Sequence, residues 1–226
     1  MKETEMSNYD PLLGAKIQQL LRGHGLENPL DFAQIERWGD PLLRQQLEAK
    51  FAGFIGLLGL TSGVAESNKI AGRIVQMYVN ERFSGLNYNN FPKITLLENE
   101  FNYHEPLIAG NIQFQTTCEH HLLSINGCAA IAYRPHNTMI GLSKFNQLVY
   151  FFANRPQLQE RLTVQLYITL QELLQTPDVA VVIKARHDCM NINGVINDHT
   201  WHLTTQFGGC FNDDGAFQTR LINSVS

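Results

Sequence analysis

At 226 residues the chain is long enough to bury a substantial core, as one large domain with an extension or as two small ones. Hydrophobic residues at 44%, charged residues at 17% and a formal net charge of -4 exclude the basic footprint that nucleic acid or an anionic membrane surface requires. An anionic ligand would therefore need a local cluster of cations.

The acidic start Met1-Lys2-Glu3-Thr4-Glu5 lacks the basic-then-apolar pattern of a signal peptide. Leu12, Leu13, Ile17, Leu20 and Leu21 then recur at helical spacing. Gly23-His24-Gly25 and Asn28-Pro29 interrupt, and a second helical run begins near Asp40. The apolar stretch 51–60 is broken by Gly53, Gly56 and Gly59 and is too short to span a bilayer. Cytoplasmic residence is expected, and in that reducing compartment the four cysteines are thiols or metal ligands. A further helix over 67–83 places Ile70, Ile74, Met77 and Tyr78 on one face.

From Leu107 the pattern turns to short extended segments. Residues 111–117 alternate, 129–133 and 179–185 are short apolar runs, and 200–205 are rich in β-formers. Two helices lie between them: one over 142–154 with Ser143 in its first turn, and one over 156–174 with Leu158, Leu162, Leu166 and Leu170 along a stripe. The expected class is α+β, with helices on one face of a sheet. The expected division is an N-terminal helical region and connection over 1–106 and a sheet domain over 107–226. Cys128 after Gly127 reads as part of a turn, and Cys210 follows Gly208-Gly209; neither is given a role. His24, His104, His136, His199 and His202 read as incidental.

The chemistry concentrates in Cys118-Glu119-His120-His121, where a thiol and an imidazole stand three residues apart. Cys189, in His187-Asp188-Cys189, adds a third soft donor 68 residues after His121. Catalytic zinc takes three such protein ligands and keeps a fourth position for water, whose pKa it lowers to about 7. For the Cys-x-x-His pair alone, ligation and core burial are evenly matched readings, because free cysteine is among the most buried residue types.

Several ordered motifs together carry a resemblance. Phe83-Ser84-Gly85-Leu86, Phe91-Pro92-Lys93-Ile94, Thr117-Cys118-Glu119-His120-His121, Gly141-Leu142-Ser143-Lys144, the run from Arg155 to Thr163 and His187-Asp188-Cys189 resemble GTP cyclohydrolase I, from about Ile70 to Phe211. The resemblance implies a tunnelling fold, in which a four-stranded antiparallel sheet with two helices packed on it closes into a barrel when subunits associate. It also implies a homo-oligomer, as a decamer of two pentamers, with sites at subunit junctions. Open sheet edges agree with that, because they invite pairing between subunits.

By the same resemblance, zinc is held by Cys118, His121 and Cys189 and activates water for attack on C8 of a guanine ring. The ring opens, a second hydrolysis releases formate, and the product is a dihydroneopterin-type pterin, the triphosphate if GTP is the substrate. His120 and His187 resemble the acid and base groups, suited by an imidazole pKa near 6.5. Ser143 is similar to the serine that assists ribose opening, and Gln159 and Glu160 look like the guanine readers. The implied substrate-binding set also includes Ile140, Leu142, Lys144, Arg73, Gln147 and Asn193. Bland readings stand beside these: Ser143 as a helix cap, Glu160 as a partner of the helix dipole, His187 as a structural histidine.

The chain departs from the family at the phosphate end. Gln147, Asn193 and Gln76 are neutral where basic side chains are expected, and Arg73 and Lys144 remain. Ile70-Ala71-Gly72-Arg73 replaces the usual Thr-Pro-x-Arg. Each charge-assisted contact to phosphate contributes about 1.5–3 kcal/mol, so triphosphate binding is expected to weaken. A divergent paralog that acts on fewer phosphates or stops at a ring-opened intermediate is one alternative. A non-catalytic pterin-binding or partner subunit is another, and retention of the metal and acid-base residues argues against it.

Overall fold

The computed structural model describes residues 8–191 and 200–225. Helix α1 (Pro11–Gly23) starts where Asp10 accepts a hydrogen bond from the Leu13 N–H and Pro11 occupies the first helical position. Its Ile17 and Leu21 are buried. A short helix α2 (Phe32–Glu36) and the longer α3 (Pro41–Leu57) are capped in the same way by Asp31 and Asp40. Helix α4 (Val64–Gln76) continues into a π-helical turn, Met77–Arg82, so the expected helix over 67–83 is present but widens in its last third.

The sheet strands are β2 (Leu107–Cys118), β3 (Ser124–Tyr133), β6 (Val179–His187) and β7 (His202–Phe207), antiparallel in the order β2-β3-β6-β7. A two-residue strand β5 (Pro156–Gln157) pairs in parallel with Thr117 and Cys118 at the β2 edge. Strands β1 (Leu96–Glu98) and β4 (Thr138–Ile140) form a separate small ladder. Between the two hairpins lie α5 (Leu142–Ala153) and α6 (Gln159–Leu174). The expected helix start at residue 156 is corrected: Pro156 and Gln157 are extended, and the helix begins at Gln159.

Alternation along the central strands assigns the two faces. Ala129, Ile131, Tyr133, Val179, Val181 and Ile183 join Leu148, Phe152, Leu162, Leu166 and Leu170 in the main core, which also takes Ile17 and Leu21 of α1. Cys128, Ala130, Ala132, Ala180 and Val182 face the other way, onto Phe211, Phe217 and Leu221. Helix α7 (Gly215–Ile222) supplies the last two of these. The sheet thus carries α5 and α6 on one face and a short C-terminal helix on the other, an addition to the one-face expectation.

Cys128 is also a correction, since it lies inside β3, buried in the smaller core. Gly127 before it is no turn residue. A Cβ there would come within 2.5 Å of the Phe114 ring and 2.9 Å of the Ala185 side chain, so glycine lets the strands pack closely.

Candidate metal and acid-base site

The β2–β3 hairpin turn builds the first half of the site. Cys118 closes β2, its N–H donating to Leu123 O at 2.8 Å, while the Leu122 N–H donates back to Cys118 O at 2.9 Å. His120 and His121 ride in this tight turn, exposed, with ring centroids 6.3 Å apart. Glu119 fixes the turn to α6: Arg161 Nη1 donates to its Oε2 at 2.5 Å and Nη2 to its Oε1 at 3.3 Å, a two-pronged pairing suited to guanidinium and carboxylate. The Glu119 N–H adds a bond to Gln157 O at 3.2 Å.

The end of β6 builds the second half. Pairing of Ile125 with His187 carries the chain back beside the hairpin turn, and the following turn Asp188–Asn191 delivers Cys189. The Cys118 Sγ, the Cys189 Sγ and a nitrogen of His121 come within 4.8 Å of one another, with Cys118 Sγ 3.9 Å from His121 Nδ1. Cys118 is 4% exposed, Cys189 is half-buried and His121 is exposed, so the group is seated in the fold on one side and open on the other. Burial pushes the Cys189 thiol pKa up, and the hydrogen bond to Cys118 and its charge add to that. A bound cation would reverse the effect, because a coordinating thiol is deprotonated outright. Two sulfurs and an imidazole at this separation fit a tetrahedral soft-donor metal with one position left open.

Beside this group lies a second cluster. His187 Nε2 is 2.9 Å from Gln159 Oε1, and its ring centroid is 5.2 Å from that of His202. Burial lowers the His187 pKa and the nearby charge of His202 lowers it further, against the opposing charges of Glu160 and Asp188. His202 read as incidental in the sequence. A lone histidine in a β-rich run carries no motif, and only the register Ala185 to His202 reveals its neighbour.

The remaining expected residues are spread around the two clusters. Glu160 is exposed in the first turn of α6, with Gln159 buried beside it. Ser143 is exposed in the first turn of α5 and makes no capping bond, so the capping reading of it has no support. Lys144 Nζ donates to Gln147 Oε1 at 3.2 Å. Arg73 and Gln76 are exposed on α4, and Gln76 accepts from Arg44 and Asn80. Leu142 is exposed, whereas the Ile140 side chain is 3% exposed and belongs to the core. Asn193 and His199 lie outside the described residues. A cavity of about 580 Å³ opens elsewhere, between α1, α2 and residues 79–90, and Cys118, His121 and Cys189 do not line it. The Cys118, His121 and Cys189 donor atoms converge away from that cavity.

An α+β sheet with a Cys-His-Cys group beside paired histidines is the class that fold and site define. The family model for GTP cyclohydrolase I matches residues 47–226. A protein of Vibrio campbellii named GTP cyclohydrolase 1 is 40% identical over 209 residues, covering 92% of this chain and 95% of its own length. One of the same name from Aeromonas hydrophila is 42% identical over 195 residues, 86% and 88% of the two chains. A third, from Histophilus somni, is 40% identical over 210 residues, 92% and 94%. The chain belongs to the GTP cyclohydrolase I family, and it is an enzyme of that type.

Proposed function

We propose that the protein is a zinc-dependent hydrolase that opens the imidazole ring of a guanine nucleotide at C8 and releases formate. The product is a dihydroneopterin-type pterin, 7,8-dihydroneopterin triphosphate when GTP is the substrate. The observation that carries this reading is the convergence of Cys118, His121 and Cys189 within 4.8 Å of one another, next to His187, in a chain of this family.

Cys118, His121 and Cys189 would hold the zinc. When bound, zinc supplies an activated water with a pKa near 7 and polarises the atom under attack. His120 and His187 move protons to and from the ring nitrogens as the C8–N9 bond breaks and as formate leaves, a task that suits imidazole near neutral pH. Glu160, exposed at the start of α6, accepts hydrogen bonds from the guanine amino and ring N–H groups. Ser143 assists ribose opening, and Leu142 and the backbone at Ile140 border the substrate. Lys144 and Arg73 meet the phosphates, with Gln147 and Asn193 offering only neutral amides there.

Association completes the site. Among the described residues strand β7 is an open edge, and Leu42, Phe54, Leu57, Leu60 and Val64 are exposed on α3, its connection to α4 and the start of α4, which supports a homo-oligomer, read as a decamer. No helix among the described residues is long and apolar enough to cross a membrane.

Metal analysis together with formate release tests the assignment. Cys118→Ala and Cys189→Ser are expected to lose zinc and activity together. His187→Ala is expected to keep the metal while turnover drops about 10²- to 10⁴-fold. Full zinc occupancy in both cysteine variants would overturn the ligand set.

A further inference from the structure

Gln159 is the first residue of α6 and 3% exposed, and its side chain reaches across to β6 and β7. Its Nε2 lies 3.1 Å from Ile183 O, 3.0 Å from His202 O and 3.1 Å from Thr204 Oγ1. Its Oε1 lies 2.9 Å from His187 Nε2. Carbonyl oxygens only accept, so the amide nitrogen has to face Ile183 and His202. Rotating the amide by half a turn would set oxygen against two carbonyl oxygens in a buried position and strip both of a donor.

The hydroxyl groups nearby agree with that orientation. Thr163 Oγ1 donates to Gln159 O at 2.9 Å, which leaves its lone pairs for the Thr204 hydroxyl at 2.7 Å. Thr204 then has a lone pair, not a proton, to offer Gln159. The two Gln159 amide hydrogens are thus shared among three acceptors, Ile183 O, His202 O and Thr204 Oγ1.

We propose that Gln159 is a positioning residue for His187, holding the imidazole with its hydrogen on Nε2 and its lone pair on Nδ1, and is not a reader of the substrate's base. A carboxamide oxygen accepts only, so the His187 nitrogen facing it is the one that carries hydrogen. The same contact fixes the ring plane and continues when Nδ1 takes up a proton, since Nε2–H remains a donor to Oε1. Both ends of the Gln159 amide are consumed, so a guanine edge could recruit it only by breaking its bond with His187. Base reading then rests on exposed Glu160, the next residue.

The kinetic arm of the test rests on the hydrolase reading; the spectroscopic arm does not. Solid-state NMR of metal-loaded protein carrying ¹⁵N-histidine, with His187→Gln to assign the signal, is expected to show His187 protonated at Nε2 and bare at Nδ1. In Gln159→Met, which has no donor and only a weak thioether acceptor, that preference is expected to disappear. The kcat for a guanine nucleotide is expected to fall about 10- to 100-fold, the usual cost of an outer hydrogen-bonding partner, while KM moves less than about threefold. Gln159→Glu keeps an oxygen that accepts from His187, so it is expected to restore the tautomer and part of kcat. Protonation at Nδ1 in the wild type, or the same tautomer in Gln159→Met, would overturn the proposal. A raised KM with unchanged kcat would return Gln159 to base reading. If the wild type opens no guanine ring, the hydrolase reading fails alone and the spectrum still decides the tautomer. If Gln159→Met does not fold, the wild-type spectrum and Gln159→Glu decide it.

Discussion

Gln147 and Lys144 share a hydrogen bond of 3.2 Å on the exposed first turns of α5, where a second cation would have repelled the lysine. The neutral amide therefore leaves one charge at these two positions, where the resemblance implies two. Replacing Gln147 and Asn193 together by arginine is expected to shift preference from guanosine towards GTP by about tenfold or more, if at least one guanidinium meets a phosphate. Competitive rates with the two substrates measure it, and a wild type that already prefers GTP strongly, with no change in the double variant, would contradict it. The same residue scale shows what a sequence can carry. The grouping of Cys118, His121 and Cys189 was legible through the ordered motifs around them, since the Cys-x-x-His pair alone left ligation and core burial evenly matched. The link from Gln159 to His187 was not, because it depends on the register that sets Ile183 against Thr204 across two strands.

Among the elements, periodicity found α1, α3, α5, α6 and the four main strands, and it failed at junctions. The junction between α5 and α6 is the clearest case. Arg155 is 0% exposed there, and its guanidinium meets Tyr88 Oη at 3.2 Å, Glu27 Oε1 at 3.5 Å and the carbonyl of Gly85. It also sits 4.9–5.2 Å from the ring centroids of Tyr88, Phe151 and Phe152. Gly85 has to be glycine at that spot, because a Cβ would come within 2.0 Å of Phe151 O. Burial, opposed by the Arg155 charge and helped by Glu27, pushes the Tyr88 pKa up to about 12, so the phenol stays neutral and keeps its proton. No sequence pattern announces a buried arginine, since arginine at a helix junction is ordinarily solvated. Arg155→Ala leaves the Glu27 carboxylate buried without its cation, and it is expected to cost about 3–5 kcal/mol in urea unfolding. A loss below about 1 kcal/mol would place the junction's stability in its aromatic packing alone.

At the scale of the whole molecule, one core runs from Ile17 and Leu21 of α1 through α5 and α6 to the sheet, and the Cys-His-Cys group sits at the end of that sheet where two hairpins meet. The three converging donor residues come from the end of β2, the β2–β3 turn and the turn after β6, so any change that slips β3 against β6 separates Cys118 from Cys189. The α+β order of hairpin, two helices and hairpin was readable from the sequence, whereas α7 on the far face was not, since eight residues give too little periodicity to mark a helix. Guanine ring opening by the metal-loaded protein is the claim on which site, fold and family converge. Formate released from GTP, GDP, GMP and guanosine, followed alongside pterin fluorescence, measures it directly. One formate per guanine ring opened, abolished in Cys118→Ala, is the expected result, and no formate from any of the four substrates by zinc-loaded protein would contradict the account.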